Sequence, residues 1–415
     1  MNKNFLALGL AAALLAPQVA GAEGFAINEW SAEGVAMGGA RMFAEDDAAN
    51  VAYNPASITK VKGEVMKSSY TYLSPHGSYK LYDSTGKEIE DEPTHNKVHA
   101  GWAVGSYYVK QINDKEWFGI GAFPRFAMVS EFERGSKASS NAFFSKLNGV
   151  SVTPTYAHKF DKKWSAAVGA EINYVGLELQ KNSYHPVAQM NVGATQTEGE
   201  SYALGWNAAA NYAFDDKNEI GVVYRSRITH SLEADFKMYP VTGGKITADA
   251  YGVVTLPDSW DIGYNHKFDK KTRLELKATR TNWSTYDALN VYFDKPVFNQ
   301  PNALSDKNWE SGWRYAIGLE HNLSDKYAVM AGFAFDESSI PCDGGDFMVP
   351  TGLRRTYSIG ARYNDKKQTV AVALGWMDVG TLDFAGHPDK GDAYKSAHAY
   401  DSFTKIASIS YQRKF

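Results

Sequence analysis

The chain has 415 residues, 44% hydrophobic and 13% aromatic, with a formal net charge of −4 and one cysteine, Cys342. That balance gives no electrostatic footprint for nucleic acid, and a single cysteine excludes an intrachain disulfide or a cysteine-built zinc cluster. Mean hydropathy is −0.39, and beyond the first residues no run reaches the roughly 18 apolar residues that a membrane-crossing helix needs.

The first 22 residues predict an export signal. Asn2-Lys3-Asn4 gives a positive start, and Phe5 to Ala16 gives an apolar core too short to span. Pro17 breaks that core, and Ala20-Gly21-Ala22 fits a small-residue cleavage site. Residues 23–62 follow without a long apolar run or a strand alternation. They carry Gly24, Gly34, Gly38 and Gly39 and close on Asn54-Pro55-Ala56, where Asn-Pro favours a turn. A compact, partly apolar segment ahead of a closed wall reads as a plug.

From residue 63 to residue 415 one unit repeats: strand, tight polar turn, strand, long polar stretch. The turns are Asn113-Asp114-Lys115, Asp161-Lys162-Lys163, Asp215-Asp216-Lys217-Asn218, Asp269-Lys270-Lys271, Ser324-Asp325-Lys326 and Asn364-Asp365-Lys366-Lys367. Asp and Asn suit such turns because their side chains bond the nearby backbone. The flanking segments alternate with period two, as in Trp164, Ala166, Val168, Ala170 and Ile172 against Ser165, Ala167, Gly169, Glu171 and Asn173. That alternation marks half-buried strands. With no long amphipathic helix to cover the apolar face, lipid covers it, and aromatic residues at the face ends match interfacial girdles.

Fourteen strands are predicted near 63–74, 97–110, 116–127, 149–160, 163–180, 201–214, 218–230, 257–268, 272–283, 309–322, 326–336, 353–363, 368–377 and 402–415. The reading is therefore an all-β protein: a 14-stranded antiparallel transmembrane β-barrel with an N-terminal hatch inside its lumen. Six short turns fall on the periplasmic side. Seven longer loops, near 75–96, 128–148, 181–200, 231–256, 284–308, 337–352 and 378–400, fall outside. The expected divisions are 1–22 signal peptide, 23–62 hatch and 63–415 barrel. Gly101, Ala103, Gly105, Gly119, Gly121, Gly205, Ala209, Gly318 and Gly360 share the inward parity, which leaves room for a packed insert. In the third strand Pro124 cannot donate to a ladder, so a bulge or a break in pairing is expected there.

Seven stretches carry a family likeness in order along the mature chain. They are Gly24-Phe25-Ala26-Ile27-Asn28-Glu29; Ala44 to Asn50 with Asn54-Pro55-Ala56; Tyr224-Arg225-Ser226; Leu256 to Trp260; Asn282 to Tyr286; Trp313-Arg314-Tyr315-Ala316; and Phe335 to Ser338. On these the sequence resembles the outer-membrane long-chain fatty acid transporter family, the FadL type, which also contains hydrocarbon transporters. The resemblance implies a bacterial outer-membrane location and passive uptake of a long-chain fatty acid or another lipophilic small molecule. It also implies an apolar pocket, and lateral release where the third strand kinks, beside Phe123 and Pro124. Gly24, Phe25, Asn54, Pro55 and Ala56 would belong to the hatch. Lys181 matches the place of a cation facing a ligand carboxylate. Arg225 and Arg314 point inward by parity, as does Arg227, and either hold the hatch or meet the ligand.

No catalytic residues, metal or cofactor are expected: Gly-x-Ser-x-Gly is absent, and His95 and His99 read as a solvated rim rather than a metal pair. The expected partners are the lipophilic ligand, outer-membrane lipid and lipopolysaccharide, and the barrel-assembly machinery, with the barrel a monomer. Three other readings stay open: a porin for small polar solutes, an aromatic-hydrocarbon member of the same family, and an outer-membrane enzyme or adhesin.

Overall fold

The computed structural model describes residues 24–89, 95–97, 100–185, 187–188, 190–297 and 300–415. The expected export signal and His99 lie outside them. Among the described residues, fourteen antiparallel wall strands follow one another around a barrel, and the first pairs with the last. The first six are β1 (Glu64–Tyr82), β2 (Gly101–Gln111), β3 (Glu116–Glu131), β4 (Phe144–Lys159), β5 (Trp164–His185) and β6 (Met190–Ala213). Next come four strands each made of two pieces: β7 (Asn218–Arg225 and Ile228–Pro240), β8 (Ile246–Leu256 and Ser259–Lys267), β9 (Thr272–Thr281 and Ala288–Val297) and β10 (Gln300–Asp306 and Gly312–Asn322). The ring is completed by β11 (Tyr327–Asp336), β12 (Arg354–Asn364), β13 (Gln368–Val379 and Leu382–Ala385) and β14 (Ser396–Lys414). Closure runs from Val65 opposite Lys414 to Tyr82 opposite Ser396. A closed ring satisfies backbone groups that lipid cannot.

The two faces divide as the alternation requires. Trp164, Val168 and Ile172 on β5 are 49%, 60% and 46% exposed, whereas Ser165, Ala167, Glu171 and Asn173, of the opposite parity, are buried. The six short turns fall where expected, and the aspartates build four of them. Asp161, Asp215, Asp269 and Asp365 each accept from the backbone N–H groups two and three residues ahead, at 2.7 and 2.8 Å. Asn113 and Ser324 accept in the same manner.

The external loops need correction. β5 and β6 stay paired from Trp164–Tyr212 to His185–Met190, through the stretch expected to be a loop at 181–200. The outer pieces of β7 and β8 likewise pair from Ile228–Leu256 to Met238–Ile246. Above the lipid both faces meet water, so the apolar alternation that marks a strand in sequence is lost. The ladder needs only backbone, and it continues.

Residues 24–62 fill the inside of the ring. Short helices α1 (Ala32–Ala36) and α2 (Asn50–Tyr53) and a 3₁₀ turn at Pro55–Lys60 make up its regular parts. Ser31 Oγ caps α1 by accepting from Gly34 N at 3.0 Å. The Tyr53 hydroxyl accepts from Trp30 N and Ser31 N and donates to Asn28 O, which folds the segment back on itself. The wall is recessed to receive it. A Cβ at Gly332 would lie 2.2 Å from Gly38 N, one at Gly360 2.5 Å from Ala36 Cβ, and one at Gly318 2.8 Å from Met37 Cβ. Buried charges are paired across the same contact: Arg41 with Glu320 at 2.9 Å, and Lys67 with Glu33 at 2.7 Å and Asp47 at 2.9 Å. Unpaired, each would carry a large desolvation cost.

Candidate functional site

β3 leaves the wall at Ala122. Its pairing with β2 runs from Gln111–Trp117 to Ser106–Ala122 and stops there, while β3 continues to Glu131 beside β4. On the β4 side the register slips between Pro124 and Phe126, so Arg125 is the extra residue. Proline's missing donor explains the slip. The N-terminal segment takes up what β2 gives away. Ile27 N donates to Arg125 O at 2.9 Å and Ala127 N to Phe25 O at 2.8 Å, while Trp30 Nε1 donates to Pro124 O at 2.7 Å.

The chain that closes this break also fills an aromatic chamber. Phe25 is fully buried, with ring centroids of Trp283, Tyr286, Trp309 and Phe126 at 4.6, 5.4, 5.7 and 6.1 Å. Gly24 turns with φ of +63°, and a Cβ there would lie 2.5 Å from the Trp309 ring. Met128, Leu147, Val175, Leu177, Ile228 and Leu232 extend the apolar lining. Trp283 sits on a 3₁₀ turn, Trp283–Thr285, where β9 breaks, and Trp309 where β10 breaks, so both rings project inward from interruptions of the wall. Residues 284–308 had read as an external loop, which hid Tyr286 and placed Trp309 merely at a strand start.

Arg125, carried inward on the slipped residue, ties three strands together. It pairs with Glu171 on β5 at 3.1 Å and donates to the carbonyls of Ser226 and Pro257 at 3.2 and 3.1 Å. Those carbonyls are where β7 and β8 break. Behind Glu171 the bonds continue through Ser151 and Asn173 to His230.

The residues singled out in sequence fall into three places. Gly24 and Phe25 line the aromatic chamber, and Phe123 and Pro124 lie at the β3 break, where Phe123 packs on Trp30 at 5.3 Å. Asn54, Pro55 and Ala56 lie apart from both, against β4, β5 and β6. There Asn54 Nδ2 donates to Asn211 Oδ1 at 2.8 Å and the Ala56 carbonyl accepts from Ser165 Oγ at 3.4 Å. Arg225 and Arg314 grip the inserted segment: Arg225 donates to Ala52 O and pairs with Asp261 at 3.0 Å, and Arg314 donates to Gly38 O at 2.9 Å and pairs with Asp336 at 2.8 Å. Arg227 corrects the parity reading. The break in β7 turns it outward, 59% exposed, onto Asp258 at 3.1 Å.

Lys181 faces inward at the outer end of β5 and stays open to solvent. Crowding by the surrounding chain pushes its pKa down; Asp392 opposes that shift and Lys307 adds to it. Lys307 gave no sequence signal. It is buried and pairs with Asp346. His95 bonds Ser78 Oγ at 3.2 Å, and among the described residues no cluster of side chains is arranged to hold a metal.

The family described as "Outer membrane protein transport protein (OMPP1/FadL/TodX)" matches residues 13–415. The long-chain fatty acid transport protein of Escherichia coli (strain K12) is 23% identical over 415 residues, covering 89% of this chain and 91% of that one. Outer membrane protein P1 of Haemophilus influenzae (strain ATCC 51907 / DSM 11121 / KW20 / Rd) is 25% identical over 421 residues, covering 90% and 89%. The crystal structure of a Pseudomonas aeruginosa FadL homologue superposes with a TM-score of 0.85 at 18% identity, over 94% of this chain and 100% of that one. That of the Pseudomonas putida toluene transporter TodX gives 0.71 at 16%, over 95% and 100%. These structures share the barrel fold, and the sequence match over nearly its whole length makes this chain a member of the OMPP1/FadL/TodX family of outer-membrane proteins.

Proposed function

We propose that this chain carries hydrophobic compounds passively across the outer membrane, that long-chain fatty acids are its ligands, and that they leave sideways at the β3 break. One observation carries the reading: Phe25 occupies the aromatic chamber with its ring and closes the wall with its carbonyl. A ligand that takes the ring's place removes the backbone that seals β3. The cavities beside β3 have about 60 and 30 Å³, whereas ligand pockets run to about 300–1,000 Å³. Binding therefore requires Phe25 to move. Each buried methylene contributes about 0.8 kcal/mol, so an acyl chain supplies the energy for that displacement. Arg225 and Arg314 act in this reading as anchors of the hatch rather than as ligand contacts. Residues 1–22 are the export signal, 23–62 the hatch and 63–415 the barrel, which works as a monomer.

The four rings around Phe25 also suit an aromatic hydrocarbon, whereas Lys181 near the mouth favours a carboxylate. A porin for polar solutes fits less well, because the hatch fills the lumen. Tryptophan fluorescence decides between ligands, since Trp283 and Trp309 line the chamber. Hexadecanoate should shift the emission at lower concentration than toluene. A preference for toluene would make the protein a hydrocarbon carrier, and no shift with either would sink the reading.

A further inference from the structure

β6 and β7 come apart in mid-wall. They pair from Ala213–Glu219 to Asn207–Arg225, and again from Glu200–Glu233 to Gly193–Pro240. Between those ladders β6 residues 201–206 face β7 residues 226–232, so β7 carries one residue more, and no ladder pair joins them. Two bonds hold the inner end, Ser226 N to Trp206 O and Trp206 N to Ser226 Oγ, both 2.9 Å. Above them no ladder pair is formed; side chains fill the interval, and His230 reaches across it to the Ser201 backbone. Ile228 folds over Gly205, where an added Cβ would lie 2.8 Å from Ile228 Cγ1. Buried His230 stands behind, bonded to Asn173 at 2.9 Å.

The two sides of this seam meet different surroundings. Inside are Ile228 and Leu232, with Ala203 packed against the same apolar cluster that surrounds Phe25. Outside, Tyr202 and Leu204 stand 73% and 77% exposed, more than Trp206 below them at 52%, while β7 presents Arg227, Thr229 and Ser231. Apolar outer residues thus give way to polar ones at the seam, which sets it at the outer boundary of the lipid. Above it the outer face is concave, with a volume of about 730 Å³ reaching from Tyr174 and Glu200 to Leu177. That depression is edged by carboxylates in one cross-strand row, Glu178, Glu198, Asp235 and Asp249. Lys237 and Lys146 offset only part of their charge. Like charges directly opposite one another repel, and the row repels anionic lipid headgroups too.

We propose that the β6–β7 seam is a side entrance, through which uncharged long-chain lipophiles already dissolved in the outer leaflet reach the apolar cluster past Ile228. This rests on the carrier reading above and adds to it a second opening, distinct from the β3 break. At the β3 break the N-terminal segment supplies the missing bonds, and along a laddered stretch of wall parting the strands would expose backbone groups at several kcal/mol each. At the seam that ladder is already missing. The carboxylate row keeps phosphate-bearing lipids out while leaving neutral chains unaffected.

The test uses the full-length protein in liposomes, carrying Cys342→Ser, Leu204→Cys and Thr229→Cys. The last two residues are exposed and face each other when the Glu200–Glu233 register is continued. A short cleavable thiol crosslinker closes the seam, and reduction reopens it. A diazirine-bearing alkane predissolved in the bilayer should, on irradiation, label Ala203, Ile228 and Leu232 with the seam open. Crosslinking should lower that labelling by about tenfold, since the other interruption of the wall, at β3, is closed by the N-terminal segment, and reduction should restore it. An ionised diazirine fatty acid, which the carboxylate row keeps from the seam, should lose less of its labelling on crosslinking than the alkane does. Labelling that is absent with the seam open, or unchanged when it is closed, overturns the proposal. Uptake of the alkane into the lumen of the same liposomes is read in parallel: labelling without uptake would leave the side entrance standing and remove the carrier reading.

Discussion

Ile27 N lies 2.9 Å from Arg125 O, so the N-terminal segment serves as a strand partner for β3 where β2 has left it. Among the described residues, backbone hydrogen bonds join the inserted segment to the wall at this one place, where the β2–β3 ladder has ended.

If ligand leaves there, holding β2 and β3 together must stop release without touching the chamber. Cysteines at Val104 and Pro124, crosslinked in a Cys342→Ser background, should abolish uptake into liposomes while Trp283 and Trp309 still report binding. Uptake that survives complete crosslinking would mean that ligand leaves by another way, past the hatch.

Residues 24–59 can be deleted without removing any wall strand, because strand-to-strand bonds do not depend on the segment. The shortened protein should still migrate as a heat-modifiable barrel, and should pass ions in planar bilayers far better than the intact one. Equal single-channel conductance would contradict the assignment of this segment as the hatch.

Lys181→Ala should weaken binding of hexadecanoate by about 1.5–3 kcal/mol, the size of a hydrogen bond to a charged group, and leave hexadecane unaffected. The comparison is made by titrating tryptophan emission with each ligand. Equal losses would place Lys181 outside the ligand's path.

Arg125→Met should destabilise the barrel by about 3–5 kcal/mol, because Glu171 would be left charged, buried and without its partner. Adding Glu171→Gln should recover most of that. Both are read from guanidinium unfolding in detergent; a single-variant loss under about 1 kcal/mol would show that Glu171 finds another partner.

The turn aspartates predict a pH effect. Bonds from backbone N–H groups hold the carboxyls of Asp161, Asp269 and Asp365 below the usual aspartate value, and the Asn218 side-chain amide together with backbone N–H groups does the same for Asp215. A depressed folded pKa adds stability that is fully present above the unfolded pKa of about 3.9 and is lost as pH falls through the folded value. Unfolding measured from pH 5 down to pH 2 should show that loss. Asn at all four positions keeps the acceptor oxygen and should flatten the profile; an unchanged profile would assign the acid sensitivity to the buried pairs instead.

The wall was legible in the sequence because lipid imposes a strict rule. Trp164, Val168 and Ile172 had to be apolar, and the turn at Asp161 had to bond its own backbone. Where lipid ends, the rule ends, and residues 181–185 at the end of β5 and 190–200 of β6 looked like loop. The recess for the insert was legible too, in Gly318 and Gly360, although Gly205 turned out to receive Ile228 rather than the hatch. The β3 break was visible in Pro124. The chamber was much less so, since Trp283, Tyr286 and Trp309 become neighbours of Phe25 only after three segments far apart in sequence fold inward. Lys307 was invisible for the same reason, and Arg227 was misread because a break shifts parity and leaves no mark in composition.

The recessed wall glycines set an order of events during biogenesis. With a Cβ at Gly332 only 2.2 Å from Gly38 N, insert and wall touch backbone to backbone, so seating the insert in a finished cylinder would need the wall to give way. The order that avoids this strain has the N-terminal segment in place while β11 and β12 are still an open sheet, so that the zipping of β1 to β14 traps it. The part of the chain made first is thus enclosed by the part made last, and a variant slow to fold that segment would stall at the final seam rather than yield an empty barrel.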